Sequence, residues 1–258
     1  MIEARGLGKA FHRGSADERL ALDRVDLALA PGDFAVVIGS NGAGKSTLLN
    51  ALAGEVVLDT GTVAVDGIDL TRLPTHRRAR WIARVFQDPA IGTAGTLTIE
   101  ENLAVAESRG RTRSLGMALS NSGRARYREL LAGIGLGLES RLTTRVSLLS
   151  GGQRQALALV MAVMGQPSLL LLDEHTAALD PRTAQAVMQA TLTAVTGARL
   201  TTLMVTHNMG SALTYGNRLI MMRDGRIVLD VSGAEKAALS VEALIARFHL
   251  SDDKLLLA

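Results

Sequence analysis

With 258 residues, 47% of them hydrophobic and 21% charged, the chain can bury a full core without metals or disulfides and is too apolar to be mostly disordered. It has no cysteine and a formal net charge of only +3, which excludes a disulfide scaffold, a thiolate metal site and a cysteine nucleophile. Residues 1–5 lack a secretory apolar stretch, and the longest apolar run, 156–164, is far short of the roughly 20 residues that cross a bilayer. A soluble protein is expected, though one that can sit beside a membrane. Only 3% of residues are aromatic, which leaves little to stack on bases and argues against a nucleic-acid partner.

In chain order, strand-like and helix-like patterns alternate, the mark of an α/β domain. Residues 34–38 are an unbroken apolar, β-branched run that meets Gly39, and they predict a buried strand. A helix is expected over 45–53 with Gly54 as its stop. Strands follow at 62–65 and 82–86. From Glu100 to about Gly165 the pattern is mostly helical, so a helical subdomain, about 89–164, is expected to be inserted into the core. Apolar runs at 169–172 and 201–205 end on polar residues, as parallel strands covered on both faces do. Asp180-Pro181 predicts a helix start. Residues 218–222 and 226–231 predict a hairpin around Asp224-Gly225, and a helix over 241–248 begins a short tail of about 240–258.

Gly39, Ser40, Asn41, Gly42, Ala43, Gly44, Lys45 and Ser46 match the phosphate-loop pattern between a predicted strand and a predicted helix. Glycines let the backbone curl so that successive N–H groups point at phosphate oxygens, and the helix N-terminus adds its dipole. Lys45 can reach the β- and γ-phosphates, and the Ser46 hydroxyl can hold Mg²⁺. A nucleotide site follows. The second half comes from the strand that ends in Asp173-Glu174. Two acids there are costly unless they meet a cation, hydrogen bonds or solvent. Asp173 is expected in the Mg²⁺ shell, and Glu174 to orient or deprotonate an attacking water. His207 ends a third such strand. Alone, a histidine there is more often structural, but the carboxyl edge of a parallel sheet is where ligands bind, which favours a phosphate contact. Finally, Leu149-Ser150-Gly151-Gly152-Gln153 precedes a helical run and makes a second anion-binding helix N-terminus. One small nucleotide does not need two such loops from one subunit. A two-fold dimer, with each nucleotide between one copy's phosphate loop and the other's Ser-Gly-Gly loop, resolves this.

This motif set resembles the ATP-binding subunit of ABC transporters through nearly the whole chain: the loop from Gly39 to Thr47, Gln87 after a strand, Leu149 to Gln153, Asp173-Glu174, Ala178-Leu179-Asp180 and His207, in the family's order. The resemblance implies one ABC-type domain over 1–258. Its fold would be a P-loop NTPase (RecA-like) core with a mostly parallel sheet, an N-terminal β region and the inserted helical subdomain. It implies ATP rather than GTP, Mg²⁺, a head-to-tail homodimer, and hydrolysis coupled to transmembrane permease subunits at the cytoplasmic face of the membrane. Carried over by position, Gln87 would touch Mg²⁺ or the water and report nucleotide state to the membrane partner. Ser150, Gly152 and Gln153 would clasp the γ-phosphate held by the other copy, with Gly151 in the same loop, and Asp180 would couple the two sites. Phe11 resembles the residue that stacks on adenine, a position more often Tyr; His12 is a weaker candidate, and a core role for Phe11 stays open. His175 stands where Pro is common, which reads as a capping or supporting residue. The combination of 173–180 with Thr206-His207-Asn208-Met209 looks like a branch of amino-acid-type uptake systems with a separate extracytoplasmic binding protein. An exporter or lipid-transporter subunit is the alternative. A non-transport relative acting on DNA or ribosomes would need coiled coils, zinc modules or a second ATPase half, and none fits in this chain.

Nearly all the basic residues are arginine. Arg109, Arg111, Arg113, Arg124, Arg126 and Arg128 lie between Ser108 and Arg128 with no acid among them. This reads either as a solvated loop or as a membrane-side surface, since such segments gain roughly 1 kcal/mol per charge near anionic lipid. Residues 88–102 are the better expectation for docking a helix of the membrane subunit.

Overall fold

The computed structural model describes residues 1–109 and 119–253. Two long antiparallel strands, β1 (Ile2–Phe11) and β2 (Arg19–Leu29), open the chain and bury Ile2, Ala4, Leu7, Leu22, Val25 and Leu27. The phosphate-loop strand β3 (Phe34–Ile38) leads into α1 (Lys45–Ala53), which stops at Gly54 with φ 81° as its pattern predicts. Then come β4 (Thr60–Val65), β5 (Ile68–Asp69), α2 (Thr75–Arg78) and β6 (Ile82–Val85). The helical stretch holds α3 (Pro89–Gly92), α4 (Ile99–Glu107), α5 (Asn121–Ala132) and α6 (Gly151–Val163). The chain returns through β7 (Leu169–Asp173), α7 (Pro181–Ala198), β8 (Thr202–Val205) and α8 (Met209–Thr214). It ends with the hairpin β9 (Arg218–Arg223) and β10 (Arg226–Ser232), then α9 (Gly233–Ala237) and α10 (Val241–Asp253), the last running past the expected end at 248.

The strands form two sheets. One, in the order β2-β1-β4-β5, is antiparallel; the other, β10-β9-β3-β8-β7-β6, is parallel except for the β9–β10 hairpin. The unbroken apolar runs have a direct cause, because each strand of the parallel sheet feeds two cores. Ala35, Val37, Leu169 and Leu171 face the antiparallel sheet and α1. Phe34, Val36, Ile38, Leu170 and Leu172 face α7 and α8. Side chains alternate across a strand, so burial on both faces leaves few polar positions.

A third core unites α4, α5 and α6 through Leu103, Tyr127, Leu131 and Leu157. Here the arginine-rich reading needs correction. Arg124 donates to both oxygens of Glu100, at 2.7 and 3.0 Å, and Arg126 pairs with Glu107. These arginines lie on α5 and meet acids of α4, so they brace two helices and are not a free basic surface. Arg128 is exposed, and Arg111 and Arg113 lie outside the described residues.

Candidate functional site

The phosphate loop is shaped by close backbone approach. Gly44 has φ 101° and caps α1 without a side-chain hydrogen bond, so the first N–H groups of that helix have no side-chain partner there. A Cβ on Gly44 would lie 2.4 Å from the Ala21 carbonyl oxygen, which requires glycine on sterics as well as dihedral. The β9–β10 turn supports the loop from the other side. The Gly225 N–H donates to the Ala43 carbonyl, and the Gly225 carbonyl accepts from the Asp23 N–H. Lys45 is buried, and its Nζ donates to the carbonyls of Gly39 (2.7 Å) and Ser40 (3.0 Å). Burial lowers its pKa, while the charges of Glu174 and Asp173 raise it. Held by neutral carbonyls, this cation has donor capacity for a phosphate. The cleft over the loop is about 250 Å³ and is lined by Phe11, Arg19, Asn41, Gly42, Lys45, Ser46, Thr47 and Glu174.

The parallel pairing of β7 with β8 brings the two acids and His207 to one sheet edge. Glu174 has φ 45°, a left-handed conformation uncommon for a side chain of its size. Its N–H donates to the Val205 carbonyl and its carboxylate meets His207 Nδ1 at 3.1 Å. Glu174 and His207 therefore form one unit at the mouth of the phosphate-loop cleft. Asp173 meets a different partner. Its Oδ2 accepts from Arg84 at 2.6 Å, and it shares a second cleft with Asn50, Glu55, Phe86 and Gln87. No group of three or more His, Asp and Glu side chains stands close enough for a metal among the described residues. A divalent ion here would rely on the Ser46 hydroxyl, Asp173 and nucleotide phosphate oxygens. That sparse, all-oxygen donor set suits Mg²⁺.

The Ser-Gly-Gly loop is built as a helix start. The Ser150 hydroxyl accepts from the Gln153 N–H, and Gln153 Oε1 accepts from the Ser150 N–H, both at 3.3 Å. The Gln153 carboxamide is anchored within its own chain, which uses only one of its two N–H donors. It also accepts from Arg141 at 3.2 Å and donates to the Leu136 carbonyl. Gly152 is buried, and a Cβ there would lie 1.9 Å from Thr183 Cγ2. Thr183 in turn donates its N–H to Asp180, the cap of α7. Residues 150–153 and 180–183 thus interlock, and none of 150–153 lines the phosphate-loop cleft.

The family profile described as ABC transporter matches residues 22–177. The chain belongs to the ABC transporter family. It is an ATP-binding cassette, an ATPase of the P-loop fold. Similar proteins include the tyrosine transport ATP-binding protein of Clostridioides difficile, 41% identical across 96% of this chain and 99% of that one. A lipoprotein-releasing system ATP-binding protein of Caulobacter vibrioides is 34% identical across 90% and 96%. Among solved structures, the post-hydrolysis dimer of the cassette MJ0796 bound to ADP and Pi superposes with a TM-score of 0.75 at 28% identity, covering 90% of this chain and 98% of that one.

In this cassette the residue after the paired acids is His175, fully enclosed, with Nε2 3.1 Å from the Thr191 hydroxyl of α7. It is a supporting group that ties the end of β7 to α7. Burial lowers its pKa from 6.5 to about 4. The unfolded chain therefore binds more protons between those values, and stability rises with pH across that window and is lost as pH falls through it. The loss between neutral pH and pH 4 is on the order of 3 kcal/mol. Measured from pH 7.5 to 4, the urea midpoint of the native chain should fall relative to that of His175→Gln on acidification. A difference that stays constant over that range would rule the assignment out.

Proposed function

We propose that the cassette powers uptake of a small, amino-acid-like solute, working as a head-to-tail homodimer beneath separate permease subunits at the cytoplasmic face of the cell membrane, with an extracytoplasmic binding protein delivering the solute. One observation carries the dimer: the helix start at Ser150–Gly152 takes no part in its own chain's phosphate-loop cleft. A second copy related by a two-fold axis supplies it to that cleft and completes two equivalent sites. The MJ0796 cassette, solved as a dimer with ADP and Pi, supports a dimeric state. Phe11 offers its ring to adenine, and the loop from Gly39 to Thr47 holds the phosphates. The Ser150 hydroxyl and the backbone of Gly151 and Gly152 close on the γ-phosphate from the other copy. Gln153 positions that loop, and Asp180 sits where the two copies meet. Ser46, Asp173 and Gln87 are the residues that would hold Mg²⁺ or its water, and the ion would offset the charge that develops on the phosphate oxygens. The Glu174 carboxylate takes a proton from the attacking water as its oxygen bonds to Pγ and the Pγ–O bond to ADP breaks. His207 fixes that carboxylate and contacts the transferred phosphate.

The permease-facing surface is best assigned to the groove between α2, α3 and α4, about 630 Å³, where Ile91 and Val105 are 67% and 60% exposed. Thr93 and Thr98 in this stretch are structural: Thr93 accepts from Arg154, and Thr98 caps α4. No helix of the described residues is long and apolar enough to cross a membrane, and exposed apolar side chains on a groove rim fit a partner helix. The name of the tyrosine transport relative favours an amino-acid-type solute, and the lipoprotein-releasing relative gives the exporter reading its support. Ile91→Asp combined with Val105→Asp should release the cassette from membrane vesicles at least 10-fold and abolish cellular uptake of labelled tyrosine, with ATP hydrolysis by the detached protein retained. Unchanged membrane association would remove the docking assignment, and uptake that persists without the cassette would remove the import reading.

A further inference from the structure

Strand β6 alternates between the two cores, with Ile82 on one side and Ala83 and Val85 on the other. Arg84 takes the next position on the Ile82 side, an ionic side chain where the strand pattern calls for an apolar one. Its side chain is only 10% exposed. Nη2 donates to Asp173 Oδ2 at 2.6 Å. Nη1 donates to Asn50 Oδ1 and to Glu55 Oε2, each at 2.7 Å, and the guanidinium lies 4.7 Å from the centre of the Phe86 ring. The cation is therefore shared between Asp173 and a second acid at the end of α1, and it is kept in place by an aromatic face. No motif of the family reading includes it.

We propose that Arg84 is a positioning residue that competes with the divalent metal for the Asp173 carboxylate, holding it in the metal-free state and falling back on Glu55 and Asn50 when the metal arrives. The physical basis is electrostatic. A carboxylate bonded to a buried guanidinium has less charge to offer a metal, and a fixed cation beside the site repels a divalent one. The second anchor matters because a guanidinium with no other partner would resist release. Phe86 adds a consequence for signalling: its carbonyl accepts from Gln155 of α6 at 2.9 Å, and the next residue is Gln87. Release of Asp173 is thus felt at the joint between the metal site and the helical subdomain.

This rests on the reading of Asp173 as a metal ligand, and the experiment separates the two. Mn²⁺ binding to the full chain with saturating ATP is followed by electron paramagnetic resonance of the free ion for the native protein, Arg84→Met, Arg84→Lys and Asp173→Asn. Arg84→Met should bind Mn²⁺ about 10-fold more tightly, and Arg84→Lys, which keeps the charge, should stay closer to native. Arg84→Gln carries the same expectation should Arg84→Met fail to fold. Asp173→Asn should bind Mn²⁺ at least 10-fold more weakly. Unchanged or weaker binding in the neutral Arg84 variants, with Asp173→Asn weakened, overturns the competition while sparing the ligand. Native-like binding by Asp173→Asn overturns the ligand reading and the inference with it.

Discussion

Glu174→Gln is expected to bind ATP as the native cassette does and to hydrolyse it on the order of 10²- to 10⁴-fold more slowly. The amide is nearly isosteric, so the left-handed backbone at Glu174 and the contact with His207 can both persist. What disappears is the acceptor for the water's proton. Single-turnover phosphate release together with nucleotide retention on the protein measures both halves of this expectation. Turnover within a few-fold of native would take Glu174 out of the chemistry and leave His207 as the group to test next.

Lys45→Ala should lower ATP affinity roughly 10- to 150-fold, the ~1.5–3 kcal/mol typical of a charged hydrogen bond. In the free cassette Lys45 already bonds two carbonyls of its own loop; its removal takes that donor from Gly39, leaves Ser40 with the Ala43 N–H, and leaves the phosphates without their cation. Adenosine, which has no phosphates, should bind the variant and the native protein equally, because the ring proposed to meet the base is Phe11, a separate lining residue of the cleft. Calorimetric titration with both ligands distinguishes loss of phosphate contact from collapse of the loop. Equal losses for ATP and adenosine would point to collapse and would contradict a direct role for Lys45.

The parts of the site that were legible in the sequence are those whose chemistry is local. A phosphate loop is one strand, one curl of glycines and one helix start, so Gly39 to Thr47 can be recognised from eight or nine adjacent residues. Asp173-Glu174 stands out because acids closing an apolar strand need a reason. The second loop at Ser150 was legible as a helix N-terminus, and its lack of use within one chain pointed to a second copy. What sequence did not reveal depends on partners far apart in the chain. Arg124 and Arg126 read as a basic stretch until α4 brings Glu100 and Glu107 against them. Arg84 reads as a misplaced charge until β7 pairs beside β6 and presents Asp173. The support of the phosphate loop by Gly225 joins residues nearly 200 positions apart. Gln153 belonged to a recognised motif, yet its side chain serves the helix cap.

ATP is expected to join two copies of this chain through the Ser150 loop. This is tested most directly by light scattering of Glu174→Gln at a fixed protein concentration, with and without Mg·ATP. The chain has a mass of 27.2 kDa. The expected result is monomer without nucleotide and a shift to twice that mass with ATP, reversed when Ser150 is also changed to Arg, whose bulk and charge disrupt the helix cap. A monomer that persists while ATP is demonstrably bound, or a dimer indifferent to the change at Ser150, would contradict it.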